Sequence, residues 1–269
     1  MPISPHYACV EPPGDTVICR FMEFWKFRDL LASEELYFTR TDLLKDDDPW
    51  EALPSDAYAR RALGLRRFDV NDELRLNNDQ AFNRQHSENC YINCWQLFEG
   101  ETVHMWDRYG KGVAVFSRFD ALKSTLIPLL DPILLGAVKY SEANNKSYNQ
   151  IQFLFTKRAC FDKEKELRIL LQCYDPMAGM NRHYNADNFP NREPLDENPI
   201  HPWVHPCKRR RIDLKSLVTE IRLSPWAKTE DTEEVKLWVK NKNLSCSVNP
   251  SDITSPLTPT PDDIRKYGA

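Results

Sequence analysis

The 269-residue sequence lacks any long hydrophobic run. A signal peptide needs about 7 to 15 consecutive apolar residues near the N-terminus, and a membrane-spanning helix needs about 18. The N-terminal region contains no such run, and the longest apolar stretch, residues 126–138, is interrupted by Pro128, Asp131 and Pro132. The sequence therefore predicts a cytoplasmic protein with no membrane partner.

Glycine is scarce, with 8 residues against 19 prolines. Because proline fixes the backbone φ angle and cannot donate a hydrogen bond, this balance predicts long and stiff connections. We expect an N-terminal arm over residues 1–20, an irregular insert over 175–210 and a proline-rich tail over 249–269. An insert of this length is typical of a lid, a binding loop or a disordered segment.

Paired cysteines with zinc-ligand spacing are also missing. The eight cysteines are scattered along a chain without an export signal, which favours reduced thiols. Cys90 and Cys94 lie close in sequence, but His86 and His104 do not complete a known zinc spacing with them. The acidic run at residues 46–48 fits a turn that caps a helix better than a calcium loop. The sequence therefore predicts no metal site.

The chain has no excess of positive charge, since its net charge is −4 and its pI is near 5.9. This balance provides no global positive field for a phosphate backbone, and it disfavours nucleic-acid binding. The local exception is the basic run Lys208-Arg209-Arg210-Arg211. This run either contacts an anionic partner or forms a solvated rim.

Apolar periodicity predicts strands and helices in no regular βαβ order. Strands are predicted at residues 36–39, 90–95, 112–117, 133–140, 166–173, 217–223 and 244–248. Helices are predicted at residues 21–31, 101–108, 119–126, 148–161 and 229–240. Because the short connections suit antiparallel pairing, we expect an α+β fold with a mixed, largely antiparallel sheet core and surrounding helices. We expect a single domain over residues 1–269.

Arg40 is the first candidate for a functional residue. The common nucleotide-binding and hydrolase motifs are absent, and functional side chains often lie at strand ends. Arg40 ends a predicted strand, where its guanidinium can bind an anionic ligand through two parallel hydrogen bonds. A surface salt bridge from Arg40 to Asp42 or Asp46 is the alternative.

Aromatic and amide side chains cluster around the next candidates. Asn93 and Trp95 belong to a predicted strand, and Trp106 and Tyr109 follow it closely in sequence. Aromatic faces with polar neighbours suit a flat heterocycle such as nicotinamide or adenine. Core packing of the aromatic rings is the alternative.

Glu164, Glu166 and Arg168 form the most suggestive group. In an extended backbone alternate residues share a face, so these three side chains are expected to project together. Neighbouring carboxylates repel each other, which raises the pKa of one of them unless a cation is near, and such pairs recur at catalytic sites. If the segment is helical, the same residues are solvated charges.

The order of several short motifs resembles a large bacterial family known mainly as a domain of unknown function, some of whose relatives are linked to abortive phage infection. The resemblance covers roughly residues 20 to 225. Its motifs are Leu36-Tyr37-Phe38, Asp48-Pro49-Trp50-Glu51, Cys94-Trp95, Met105-Trp106 with Tyr109, Val138-Lys139-Tyr140, Lys157 with Phe161, and Glu164-x-Glu166-x-Arg168.

A more distant resemblance is to ADP-ribosyltransferases, which carry an early arginine, a middle polar or aromatic strand and a late Glu-x-Glu in this order. It implies that Arg40 binds the phosphate or ribose of NAD and that Trp95 or Tyr109 stacks on nicotinamide. It further implies that Glu166 bonds the ribose hydroxyl and stabilises the oxocarbenium, while Glu164 orients the acceptor. The Ser-Thr-Ser of the family's middle strand is replaced here by Asn93-Cys94-Trp95.

These resemblances predict an NAD-dependent ADP-ribosyltransferase-like effector, in phage defence or a toxin system. Glu166 and Glu164 are the expected catalytic residues. The expected NAD-binding residues are Arg40, Asn93, Trp95, Tyr109 and Arg168. The alternatives are a non-catalytic sensor or interaction protein on the same fold and, third, a nucleic-acid-processing enzyme.

Overall fold

The computed structural model describes residues 6–44, 48, 51–54, 59–61, 63–65, 69–126, 133–141, 149–172 and 206–253. Most of the predicted insert, residues 175–205, and most of the predicted tail, residues 254–269, lie outside the described residues. The end of the insert, residues 207–210, belongs to a strand instead. Within the described stretches, no helix is long and apolar enough to cross a membrane.

The described residues form an α+β fold, which confirms the predicted class. The strands are β1 (Val17–Glu23), β2 (Glu35–Arg40), β3 (Cys90–Leu97), β4 (Gly112–Arg118), β5 (Ile133–Ala137), β6 (Lys139–Tyr140), β7 (Thr156–Lys157), β8 (Glu166–Gln172), β9 (Cys207–Arg211), β10 (Glu220–Leu223) and β11 (Ser247–Pro250). The helices are α1 (Phe24–Ser33), α2 (Val70–Glu88), α3 (Val103–Tyr109), α4 (Phe119–Leu126), α5 (Gln150–Leu154), α6 (Leu214–Leu217) and α7 (Thr229–Asn241). Short 3-10 helices cover Thr41–Leu44 and Ala159–Glu164.

The chain divides into two compact units. The first unit consists of Met1–Pro12, Leu36–Cys94 and Leu126–Arg210. The second unit consists of Pro13–Glu35, Trp95–Thr125 and Arg211–Ala269. The prediction of one domain over residues 1–269 stays a prediction.

In the second unit, neighbouring strands follow the order β11, β10, β4 and β1. β1 and β4 pair antiparallel along their full length, and β10 and β11 pair in parallel. Ile18 and Cys19 are consecutive in β1 and both fully buried, so side chains on both faces of this strand are covered. The sequence had assigned residues 17–20 to the N-terminal arm and residues 21–23 to a helix, so β1 was missed, and α1 begins at Phe24 instead of residue 21.

One hydrophobic core cluster of the first unit lies on one face of β3, β5 and β8. β3 pairs with β2 and β8, and β5 pairs antiparallel with β8. An isolated bridge between Val10 and Ala137 joins the N-terminal segment to β5. The buried core residues are Ala52, Cys90, Ile92, Leu134, Leu154, Phe155 and Leu170.

The helix predicted over residues 148–161 is interrupted in the structure. It is replaced by α5, β7 and the 3-10 helix Ala159–Glu164. α5 ends at Leu154, and Phe155, with φ of −118° and ψ of 23°, is outside the helical region. The interruption allows β7 to pair in parallel with β6.

Candidate functional site

Lys157 of β7 is the centre of a group of charged side chains in the first unit. Its Nζ lies 2.6 Å from Glu164 Oε2, 2.8 Å from Glu166 Oε2 and 3.6 Å from Glu51 Oε2. The Lys157 side chain is only 11% exposed, so these ion pairs are largely shielded from water. We call Glu51, Lys157, Glu164, Glu166 and Arg168 the charged cluster.

Arg168 of β8 joins two of these carboxylates from the protein interior. Its Nε and Nη2 donate to the two carboxylate oxygens of Glu166 at 2.7 and 3.1 Å. Its Nη1 donates to Glu51 Oε1 at 2.8 Å and to the carbonyl oxygen of Leu154 at 2.5 Å. The side chain is 1% exposed. Removing one partner from such a buried pair costs about 3–5 kcal/mol of stability, because the other charge is left without compensation.

Glu164 and Glu166 meet at Lys157 through a bend in the backbone. Glu164 ends the 3-10 helix, Lys165 has a left-handed conformation with φ of 43°, and Glu166 begins β8. The prediction of a continuous extended segment through Glu164, Glu166 and Arg168 is therefore right only from Glu166 onward. The two carboxylates still come together, because the bend turns Glu164 toward the same ammonium group.

Two neutral side chains hold Glu166 from other strands. The Cys94 thiol of β3 hydrogen-bonds to the Glu166 carboxylate, and the Tyr140 hydroxyl accepts a hydrogen bond from the Glu166 backbone N–H at 2.7 Å. Burial, reinforced by the charge of Glu166, raises the pKa of both Cys94 and Tyr140. Cys94 and Tyr140 therefore remain protonated at physiological pH. The pairing of β6 with β7 places Tyr140 opposite Lys157.

The charged cluster keeps its central groups ionised. Burial alone would raise the pKa of Glu166, but the positive charges of Arg168 and Lys157 outweigh burial and hold this pKa well below its usual value. Burial alone would lower the pKa of Lys157, but the carboxylates of Glu166, Glu51 and Glu164 outweigh it and raise this pKa. Glu164 and Glu166 thus have cations beside them. With these cations near, the repulsion between the two carboxylates does not raise the pKa of Glu166.

Arg158, next to Lys157 in sequence, lies at a more exposed position beside the charged cluster. Its Nη2 donates to Asp48 Oδ1 at 2.7 Å. The Arg158 side chain is 49% exposed, whereas that of Asp48 is 5% exposed. Asp48 was predicted as part of a helix-capping turn, which stays a prediction, and its carboxylate takes part in this ion pair.

Arg40 and Asn93 are on the opposite face of the sheet from the charged cluster. Arg40 lies opposite Tyr91 in the β2–β3 register, and residues opposite each other share a face. Asn93 is two residues from Tyr91, so it shares that face, while Cys94, which contacts Glu166, points the other way. The structure therefore does not bring Arg40 and Asn93 to the predicted catalytic carboxylates.

Both residues have other partners in the first unit. Arg40 Nε and Nη2 donate to the Asp42 carboxylate at 2.5 and 3.0 Å, which is the salt bridge considered as its alternative. Asn93 Nδ2 donates to the carbonyl oxygen of Tyr37 at 2.9 Å and so ties β3 to β2. These contacts are sufficient to explain why each polar side chain is at its position.

Trp95 and Tyr109 belong to the second unit, where both take part in packing. Trp95 is buried in β3. Tyr109 is half-buried against a core cluster and stacks on Phe21, with the ring centroids 6.1 Å apart. Trp106, in the same cluster, donates from Nε1 to Glu101 Oε2 at 2.9 Å. These contacts correspond to the core-packing alternative for the aromatic residues.

The charged cluster and its neighbours gather many residues from the motifs that carry the family resemblance. Sequence reasoning gave a role to only some of them, because nothing in the sequence shows that segments more than one hundred residues apart meet. The clearest sequence signal for this group of residues was the set of motifs that carries the family resemblance. The motif residues in this region are Asp48, Glu51, Cys94, Tyr140, Lys157, Phe161, Glu164, Glu166 and Arg168.

Comparisons with models of protein families, with curated proteins and with solved structures find no match to this chain. The chemistry of the site is therefore inferred from its own side chains. In the part of the chain that the structure describes, no three His, Cys, Asp or Glu side chains are grouped so that they could hold a metal ion. The dominant feature of the site is the set of carboxylates around Lys157.

Proposed function

We propose that the charged cluster is the reaction centre of an NAD-dependent enzyme of the ADP-ribosyl-transferring type. The observation that carries this proposal is the approach of three carboxylates to one ammonium group in a shielded position. Buried charges are costly to assemble and recur at functional sites. The family resemblance suggests an effector of phage defence or a toxin system as the biological setting.

Ionised carboxylates suit this reaction because it passes through a cation. The bond between ribose C1′ and the nicotinamide nitrogen breaks, and its electron pair leaves with nicotinamide. C1′ then carries positive charge until a nucleophile attacks it, and the proton that the nucleophile loses passes to water. Fixed negative groups stabilise such a charge in a site shielded from water. The lowered pKa of Glu166 keeps this carboxylate in the required form.

The proposal assigns each charged residue a part. In the ligand-free site, the Lys157 ammonium group occupies the place that the cationic end of the substrate takes in the complex. Lys157 turns away when the substrate enters. Glu166 stabilises the oxocarbenium, and Glu164 orients the acceptor. Arg168, which the sequence predicted to bind NAD, is proposed to position Glu166 through two hydrogen bonds. The NAD-binding roles predicted for Trp95 and Tyr109 stay predictions.

Release of nicotinamide from NAD tests the proposal. We expect release by the full-length protein and a loss of about 100-fold or more in Glu166→Gln, because the variant lacks the charge that stabilises the cation. Glu101→Gln is the matched control. Glu101 is a buried carboxylate of the second unit that accepts from Arg222 Nη1 at 2.8 Å and from Trp106 at 2.9 Å. Equal release by wild type and Glu166→Gln would end the assignment.

A non-catalytic interaction protein is the second candidate. It is favoured by one observation, which is that both carboxylate oxygens of Glu166 already accept hydrogen bonds from Arg168. If the charged cluster only stabilises the fold, wild type releases no nicotinamide. In that case Glu166→Gln and Glu101→Gln differ from wild type only in their free energies of unfolding.

A further inference from the structure

We propose that Arg158, held by Asp48 and Phe161, is a subsite for a phosphate or pyrophosphate group of the ligand. The inference rests on the proposed function and extends it, since it says which residues recognise the anionic part of the substrate. It replaces the role that the sequence predicted for Arg40, which lies on the other face of the sheet.

The ion pair between Arg158 and Asp48 fixes a guanidinium at the protein surface. Asp48 is almost fully buried, whereas about half of the Arg158 side chain is exposed. A guanidinium has five N–H donors, and the bond to Asp48 Oδ1 uses Nη2. The buried carboxylate thus orients the group while its exposed part faces solvent. Such a preorganised fork matches phosphate oxygens.

Phe161 holds the same guanidinium from a second side and connects it with the charged cluster. The Arg158 guanidinium carbon lies 5.2 Å from the centroid of the Phe161 ring, and Lys157 Nζ lies 5.5 Å from it. Cations at these distances are attracted by the ring face. One aromatic ring therefore contacts both the exposed cation and the cation at the centre of the cluster. A ligand whose phosphate is one ribose away from a cationic ring has a group for each of the two positions.

An ordinary surface ion pair of this protein has a different geometry. Arg118 and Asp120 are both more than half exposed, and their closest N–O distance is 3.8 Å. Exposed pairs of this kind contribute little to stability and do not fix the arginine. Arg118 is therefore the matched control for Arg158, because the two side chains are similarly exposed but only Arg158 is held by a buried carboxylate.

Binding of inorganic pyrophosphate and of ADP-ribose, measured by thermal shift and calorimetry on the full chain, tests the inference without requiring turnover. We expect both probes to raise the Tm of wild type and of Arg118→Ala. We expect Arg158→Ala to weaken the binding of both probes by about tenfold or more, because a charge-assisted contact is lost. Arg158→Lys is expected to recover only part of the affinity, because it lacks the planar fork.

Turnover adds a second readout. In Arg158→Ala we expect KM for NAD to rise about tenfold with little change in kcat. For nicotinamide riboside, which has no phosphate, we expect neither KM nor kcat to change. Equal affinity of wild type and Arg158→Ala for pyrophosphate and ADP-ribose, or no binding by wild type, would overturn the inference. Binding that depends on Arg158 without nicotinamide release would support the anion subsite and contradict the proposed function, so the two failures can be told apart.

Discussion

Glu166 illustrates how individual residues of the charged cluster depend on their partners. An isolated carboxylate in this position would be protonated, because burial penalises its charge. Arg168 and Lys157 reverse this effect and lower its pKa. The protein therefore maintains a negative group in a shielded place where a cationic transition state could be stabilised.

His86 of α2 gives a test at the residue scale. Burial lowers its pKa to about 4, and its ring lies 3.8 Å from the Cys90 thiol. Below about pH 6.5, the ordinary pKa of histidine, the unfolded chain takes up a proton at His86 that the folded chain does not. The free energy of unfolding therefore decreases as the pH decreases, until the pH reaches the pKa of His86 in the folded chain. We expect this residue to reduce the free energy of unfolding by about 2 kcal/mol between pH 7 and pH 5.

Urea unfolding at both pH values measures this effect. His86→Gln is expected to remove about 2 kcal/mol of the pH dependence, because glutamine at position 86 does not titrate. His104→Gln, a substitution at an exposed histidine of α3, is the control measured in parallel. An unchanged pH dependence in His86→Gln would contradict the buried, neutral state of this ring.

At the residue scale, only part of the charged cluster was predictable. Glu166 and Arg168 alternate along β8, so their spacing in an extended segment predicted a common face, whereas Glu164 joins them only through the bend at Lys165. Lys157 is seven residues from Glu164, and Glu51 is 117 residues from Arg168, so only the fold brings them to the same place. The strand register places Arg40 on the opposite face, which the sequence does not show.

Gly112 gives a test at the scale of elements, because it begins β4 directly against β1. A Cβ atom at this position would lie 2.1 Å from the carbonyl oxygen of Met22. We expect Gly112→Ala to reduce the free energy of unfolding by about 1–3 kcal/mol, since the two paired strands must separate locally. Gly14→Ala is the control, because its Cβ would meet Asp120 Cβ at an ordinary 3.5 Å. Equal urea midpoints for the two variants would contradict the close pairing of β1 and β4.

Some elements were predicted closely and others were not. The predicted strand at residues 112–117 and helix at 229–240 agree closely with β4 and α7. β1 was missed because its residues were divided between the predicted N-terminal arm and the helix predicted at 21–31. The helix predicted at 148–161 is right only for α5, because apolar spacing alone does not reveal that residues 156–157 pair with β6.

At the scale of the whole molecule, the fold class follows from the sequence but the position of the site does not. Irregular alternation of strands and helices predicts a mixed, mostly antiparallel sheet, and the structure confirms it. The charged cluster, by contrast, takes its residues from the turn at Glu51, from β7, from the 3-10 helix Ala159–Glu164 and from β8. All of these segments belong to the first unit.

The central claim is that chemistry takes place on the face of the sheet that carries the charged cluster. Nicotinamide release by Glu164→Gln and Arg40→Ala, measured side by side with wild type, tests it most directly. We predict that Glu164→Gln loses most of the activity. Arg40→Ala is expected to stay within about twofold of wild type, because Arg40 and its ion pair with Asp42 lie on the opposite face of the sheet. Loss of activity in Arg40→Ala with full activity in Glu164→Gln would contradict the account.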